Sequence, residues 1–137
     1  MGLYLCIFDP YGEELRGVEV GMYHYFDVLR RRAERYVREK KVPPMPTLLD
    51  HPDCDGVWSV KDCKQLLKEL EQLRQQFLQE PPDPEVIRWK EEVFRLYGIT
   101  PADLSECFVD ADCEPLLDRL ISLCGFAIEE KRPIEFQ

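Results

Sequence analysis

His51, Asp53, Cys54 and Asp55 set an imidazole, a thiol and two carboxylates almost side by side, a donor set able to hold a metal ion and activate a water. The spacing argues for something plainer. Zinc sites draw on separated pairs of Cys or His, and no Cys-x-x-Cys occurs in the chain. A calcium loop continues its ligands to a closing glutamate, whereas Gly56-Val57-Trp58-Ser59 leads into a helix. A turn accounts for the same residues: Asp53 and Asp55 fold their carboxylates onto nearby amides, and His51 satisfies a buried polar group. The alternative is a small metal-dependent enzyme using the His51–Asp55 loop, which predicts stoichiometric metal in the purified protein.

Other chemistries find less support. The glycines form neither Gly-x-Gly-x-x-Gly nor a P-loop, which removes the usual nucleotide cradles. Ser59, Ser105 and Ser122 stand in no Gly-x-Ser-x-Gly elbow. A thiol nucleophile would need His24 or His51, yet Cys63 and Cys124 fall at apolar-face positions, leaving Cys54 as the thiol placed for reactivity. Asp110, Asp112 and Glu114 read as the acidic start of the last helix, where negative charge suits the dipole. Trp58 and Trp89 have the size of interface anchors, with core packing the plainer role for each. No catalytic residue, metal or cofactor follows from these patterns.

The elements that must position these residues are legible from period and punctuation. Leu3–Phe8 is a short apolar run stopped by Asp9-Pro10-Tyr11-Gly12, as a buried strand would be. Gly17–Gly21 alternates and predicts a second strand. From Met22 to about Lys41, Phe26, Leu29, Ala33 and Tyr36 or Val37 recur at helical spacing, until Pro43, Pro44 and Pro46 impose extended backbone. Ser59 with Asp62 forms a capping box for a helix through Cys63, Leu66, Leu67, Leu70, Leu73 and Phe77. Asp83-Pro84 opens a third helix that Gly98 closes. A final helix carries Leu116 to Ile128, and Ile134-Glu135-Phe136 alternates as a terminal strand. The expectation is α+β, or mixed α/β: a single compact domain over 1–137 with a small sheet and about four helices.

Size and charge bound the partners. The chain has 137 residues, and a folded surface of about 7,500 Å² against about 23,500 Å² extended leaves enough buried area for a core without staples. Asp and Glu number 27 against 18 Lys and Arg, a formal charge of −9, so nucleic acid is repelled and a basic protein is the fitting partner. Positive charge concentrates in Arg30, Arg31, Arg32, Arg35, Arg38, Lys40 and Lys41, read as a solvated helix face and making the molecule dipolar. No apolar run is long enough to span a bilayer, and Met1–Phe8 lacks a basic leader and a cleavage motif. The reading is a cytoplasmic chain whose cysteines are thiols.

Several segments together, Met1–Phe8, Gly17–Gly21, His51–Ser59, Asp110-Ala111-Asp112 with Glu114–Leu117, and Pro133–Gln137, resemble the immunity protein 70 family in the same order along the whole chain. The chain departs from the family pattern at Pro52, at Val57, and at Cys113, where glycine is common. The resemblance implies a non-enzymatic protein of a bacterial polymorphic toxin system that binds a cognate toxin domain in the cytoplasm and neutralises it. An acidic inhibitor suits a basic toxin, and if the toxin is a nuclease, carboxylates occupy the groove meant for phosphates. Asp53, Asp55 and Trp58 in the central loop, with Glu13 and Glu14 after the first strand, are the candidate contacts. A general interaction module unrelated to toxins is the other alternative.

Overall fold

The structure, a computed structural model, describes residues 2–52 and 56–137. Strands β1 (Gly2–Phe8), β2 (Glu14–Met22), β3 (Val57–Trp58) and β4 (Ile134–Phe136) form an antiparallel sheet in the order β2-β1-β4-β3. Three long helices, α1 (Tyr23–Lys40), α3 (Val60–Phe77) and α6 (Leu116–Glu130), share the work of burial with short α2 (Pro46–Leu49), α4 (Pro84–Arg88) and α5 (Glu91–Tyr97). This is an α+β arrangement. Its exposed surface of 7746 Å² agrees with the size scaling.

Strand alternation explains how β1 is used. Leu3, Leu5 and Ile7 point to one side, where they meet Val18 and Val20 of β2 and the apolar stripes of the helices, among them Phe26 and Leu29, Leu66, Leu70 and Leu73, and Leu117, Leu120 and Cys124. Tyr25 lies in this core, and its hydroxyl donates to the Cys107 carbonyl and accepts from the Val109 amide. The five described cysteines, Cys6, Cys63, Cys107, Cys113 and Cys124, are free and buried.

Helix ends follow the sequence signals closely in three places. Ser59 accepts from the Asp62 amide while the Asp62 carboxylate accepts from the Ser59 amide, each at 3.0 Å. Asp83 caps α4 through the Glu85 amide, and Gly98 closes α5 with φ 65°.

Four expectations change. The second strand is longer than Gly17–Gly21, because the β1–β2 turn is confined to Asp9–Glu13. Val57–Trp58, read as part of a polar loop, is a strand bonded to β4. The helix expected from Pro84 to Tyr97 breaks at Trp89 and Lys90. There Lys90 turns inward, donates from Nζ to the Val20 and Val109 carbonyls, and lies 4.6 Å over the Tyr25 ring. The acidic residues near 110 do not begin the last helix. Asp110 is buried in a turn, where its Oδ1 accepts from the Asp112 and Glu114 amides and its Oδ2 meets Arg119 Nε at 2.9 Å. Helix α6 starts only after Pro115, with Asp118 as its first-turn acid. That turn also requires φ 62° at Cys113, a left-handed position that glycine would adopt with less strain.

The same turn protects the sheet's edge. Ala111 donates its amide to the Glu19 carbonyl and Arg119 reaches the Gly17 carbonyl, so groups of β2 that an added strand would use are occupied from within.

Candidate partner-binding surface

Cross-strand register assembles one face from residues far apart in sequence. On the side of the sheet opposite the core, Tyr4 stands across from Glu19, Phe8 from Glu14, Cys6 from Gly17 and from Glu135, and Glu135 from Val57. Directly paired residues share a face. None of these side chains belongs to the core cluster, and Glu14, Glu19 and Val57 are exposed. The outer face of the sheet therefore presents three carboxylates around a band of tyrosine, phenylalanine and valine.

Gly17 makes this packing feasible. A Cβ built at Gly17 would come 2.1 Å from the Tyr4 hydroxyl, so the ring lies across the glycine and covers it. From there Tyr4 donates to Glu14 Oε2 at 2.8 Å. That bond to Glu14, with burial and the charges of Glu14 and Glu19, pushes the Tyr4 phenol up to about 12. Burial first, then Glu14 and Glu135, push the Cys6 thiol up to about 11, which keeps it protonated and unreactive at neutral pH. Negative charge on this face adds to both displacements, after the hydrogen bond and burial for Tyr4 and after burial for Cys6.

The hairpin tip continues the acidic character. Asp9 Oδ1 accepts from the Tyr11 and Glu13 amides at 2.8 and 2.9 Å, Asp9 donates its own amide to the Glu13 carbonyl, and Gly12 takes φ 84°. Arg132 Nε holds the base of the turn through the Phe8 carbonyl. A turn braced in this way presents Glu13, Glu14 and Tyr11, the last 91% exposed, with little ordering left to do on binding.

At the far edge of the sheet, β3 leaves the central loop. Arg30 donates to the Leu49 and His51 carbonyls, Trp58 Nε1 donates to the Thr47 carbonyl, and the buried Glu69 carboxylate accepts from the Leu48 amide at 2.9 Å and the Thr47 amide at 3.4 Å. Glu69 thus caps α2, a helix unforeseen in the proline-rich stretch because Pro46 occupies its first turn, where no amide is needed. His51 stacks on Phe136 with centroids 4.2 Å apart, and its two ring nitrogens face the Pro52 and Val57 carbonyls. Among the described residues no three His, Cys, Asp or Glu side chains gather as a metal site.

The sequence-predicted contacts divide accordingly. Glu13 and Glu14 lie exposed at the hairpin. Trp58 is 1% exposed and packs edge-on against Phe136 at 4.7 Å, so it belongs to the core and offers nothing to an outer surface. Asp53 and Asp55, with Cys54, lie outside the described residues. Tyr4, Glu19 and Glu135 were missed: Glu19 and Glu135 occupy the polar phase of alternating strands, Tyr4 lies within an apolar run, and sequence alone leaves open the register that brings them together.

No curated protein and no solved structure matches the chain. The family described as immunity protein 70 matches residues 3–136, nearly all of the molecule. Membership rests on that match, and the chain belongs to the immunity protein 70 family.

Proposed function

We propose that this protein binds the cognate toxin domain of a bacterial polymorphic toxin system in the cytoplasm of the producing cell and silences it by covering its active surface. It acts by occupancy and turns over no substrate. The observation that carries the reading is the family membership, with the acidic outer sheet face as its physical complement.

A net charge of −9 accelerates encounter with a basic partner, and the carboxylates of Glu13, Glu14, Glu19 and Glu135 are set to meet cations. The aromatic and aliphatic band between them supplies apolar contact, with Tyr11 as the protruding anchor. Asp53 and Asp55 are further candidate contacts in this proposal, by their charge alone. A nuclease is the toxin class that fits best, since its phosphate-binding groove is already built to take anions.

The test is growth. Cells expressing the toxin domain encoded beside this gene should survive only when this chain is co-expressed, and the two proteins should purify as a stoichiometric complex that lacks toxin activity. Purified protein that neither binds nor inhibits that toxin would overturn the assignment.

A further inference from the structure

Positive charge is as localised as negative. Seven of the chain's 18 basic residues fall between Arg30 and Lys41, and α1 with its neighbour α4 turns part of that set into a groove of about 420 Å³. Two arginines serve the fold: Arg30 holds carbonyls of the central loop, and Arg32 pairs with Asp83 at 2.5 Å and Glu80 at 3.4 Å, closing the seam between α1 and α4. Arg31, Arg35 and Arg38 do not serve it in this way. They are exposed, follow one another at helical spacing, and cover about 10 Å along the axis. Arg35 has only the exposed pair with Glu39, and Arg31 and Arg38 make no ion pair among the described residues. The groove between them and α4 is walled by Val28, Val86 and Trp89, the last 44% exposed.

We infer that this groove docks a short acidic segment of a protein partner, one apolar side chain seated on Val28, Val86 and Trp89 and flanking carboxylates paired with Arg31, Arg35 and Arg38. Charge complementarity selects this occupant. A single phosphate calls for cations converging on one point, whereas these stand in a row a helical turn apart, matching carboxylates repeated along a peptide. A nucleic acid strand needs a continuous cationic track, and Glu34 and Glu85 break this one into separate cations, which discrete carboxylates spaced by apolar residues can meet singly and a backbone charged at every unit cannot. The inference stands independently of the toxin assignment, since it concerns a different face and opposite charge.

Fluorescence anisotropy of a labelled twelve-residue peptide alternating leucine with pairs of glutamate tests it on the intact protein. Binding should weaken as salt rises, fall about tenfold in the Arg31→Glu/Arg38→Glu variant, and fall by a similar factor in Trp89→Ala. The arginine pair is exposed, so unchanged thermal unfolding would accompany the loss. Absent peptide binding, equal binding by these variants, equal binding of a glutamate-only peptide, or tighter binding of a single-stranded oligonucleotide would each overturn the inference. Toxin rescue in the growth assay reads the other face, so one proposal can fail while the other stands.

Discussion

Glu69 and Asp110 are buried, whereas Glu14, Glu19 and Glu135 sit on the outer face of the sheet, and the same functional group does opposite work in the two settings. Inside, each carboxylate is saturated: Glu69 caps α2 and also accepts from Gln65, and Asp110 takes two amides and the Arg119 guanidinium. Outside, the carboxylates of Glu19 and Glu135 pair with no cation among the described residues, and Glu14 accepts from a neutral phenol. Buried acids here hold loops in place, and surface acids leave charge available to a partner. A net charge of −9 is therefore unevenly distributed in its consequences.

The comparison breaks most visibly at Asp110. Asp110→Ala leaves two amides without an acceptor and should cost about 2–3 kcal/mol, with a fall in Tm of roughly 10 °C. The cost stays below that of a fully buried ion pair because Arg119 is 42% exposed and is rehydrated once released. Glu69→Ala should follow at about 2 kcal/mol, and Glu69→Gln, which keeps one carbonyl oxygen for the Leu48 amide, at about half that. Thermal unfolding monitored by circular dichroism checks both. Neutral behaviour in either variant would mean that water replaces the carboxylate and that its burial is not structural.

How much of this contrast was legible in the sequence depends on range. The outer acids were within reach of local pattern: Glu19 alternates with Val18 and Val20, and Glu135 with Ile134 and Phe136. The capping box at Ser59 and the Asp83-Pro84 start were read correctly because their partners lie within four residues. Asp110 was misread as a helix start because its decisive partner, Arg119, is nine residues away and the turn between them is set by packing against β2. Glu69 gave no signal at all, since the amides it caps are 21 and 22 residues distant in a stretch whose prolines suggested only extended chain. Trp89 and Trp58 looked equivalent in sequence, and tertiary contact alone separates the exposed indole from the core one.

On the outer face the expected effects move from stability to association. The Glu14→Gln/Glu19→Gln/Glu135→Gln variant should unfold within about 0.5 kcal/mol of the parent. Under the proposed function, its association with the toxin should slow about tenfold at low salt, with a much smaller change in dissociation, because distributed surface charge acts on encounter. Stopped-flow or surface plasmon resonance at two salt concentrations separates the two rates. A loss of stability comparable to Asp110→Ala would erase the distinction between the two sets of carboxylates.

The finest effect is a titration. Tyr4 holds its proton to about 12 against an ordinary value of 10.0, chiefly through its hydrogen bond to Glu14. The folded state thus favours the neutral phenol. The associated stability is fully present below pH 10.0, and is lost as pH rises from there through about 12. Absorbance of tyrosinate, taken as a difference between the parent and Tyr4→Phe, isolates this group from the other tyrosines. Glu14→Gln should bring the midpoint down, though not to the ordinary value, because burial and the Glu19 charge continue to disfavour the phenolate. A midpoint that ignores Glu14→Gln would place the phenol away from that carboxylate, and with it would fall the cross-strand register that gathers the acidic face.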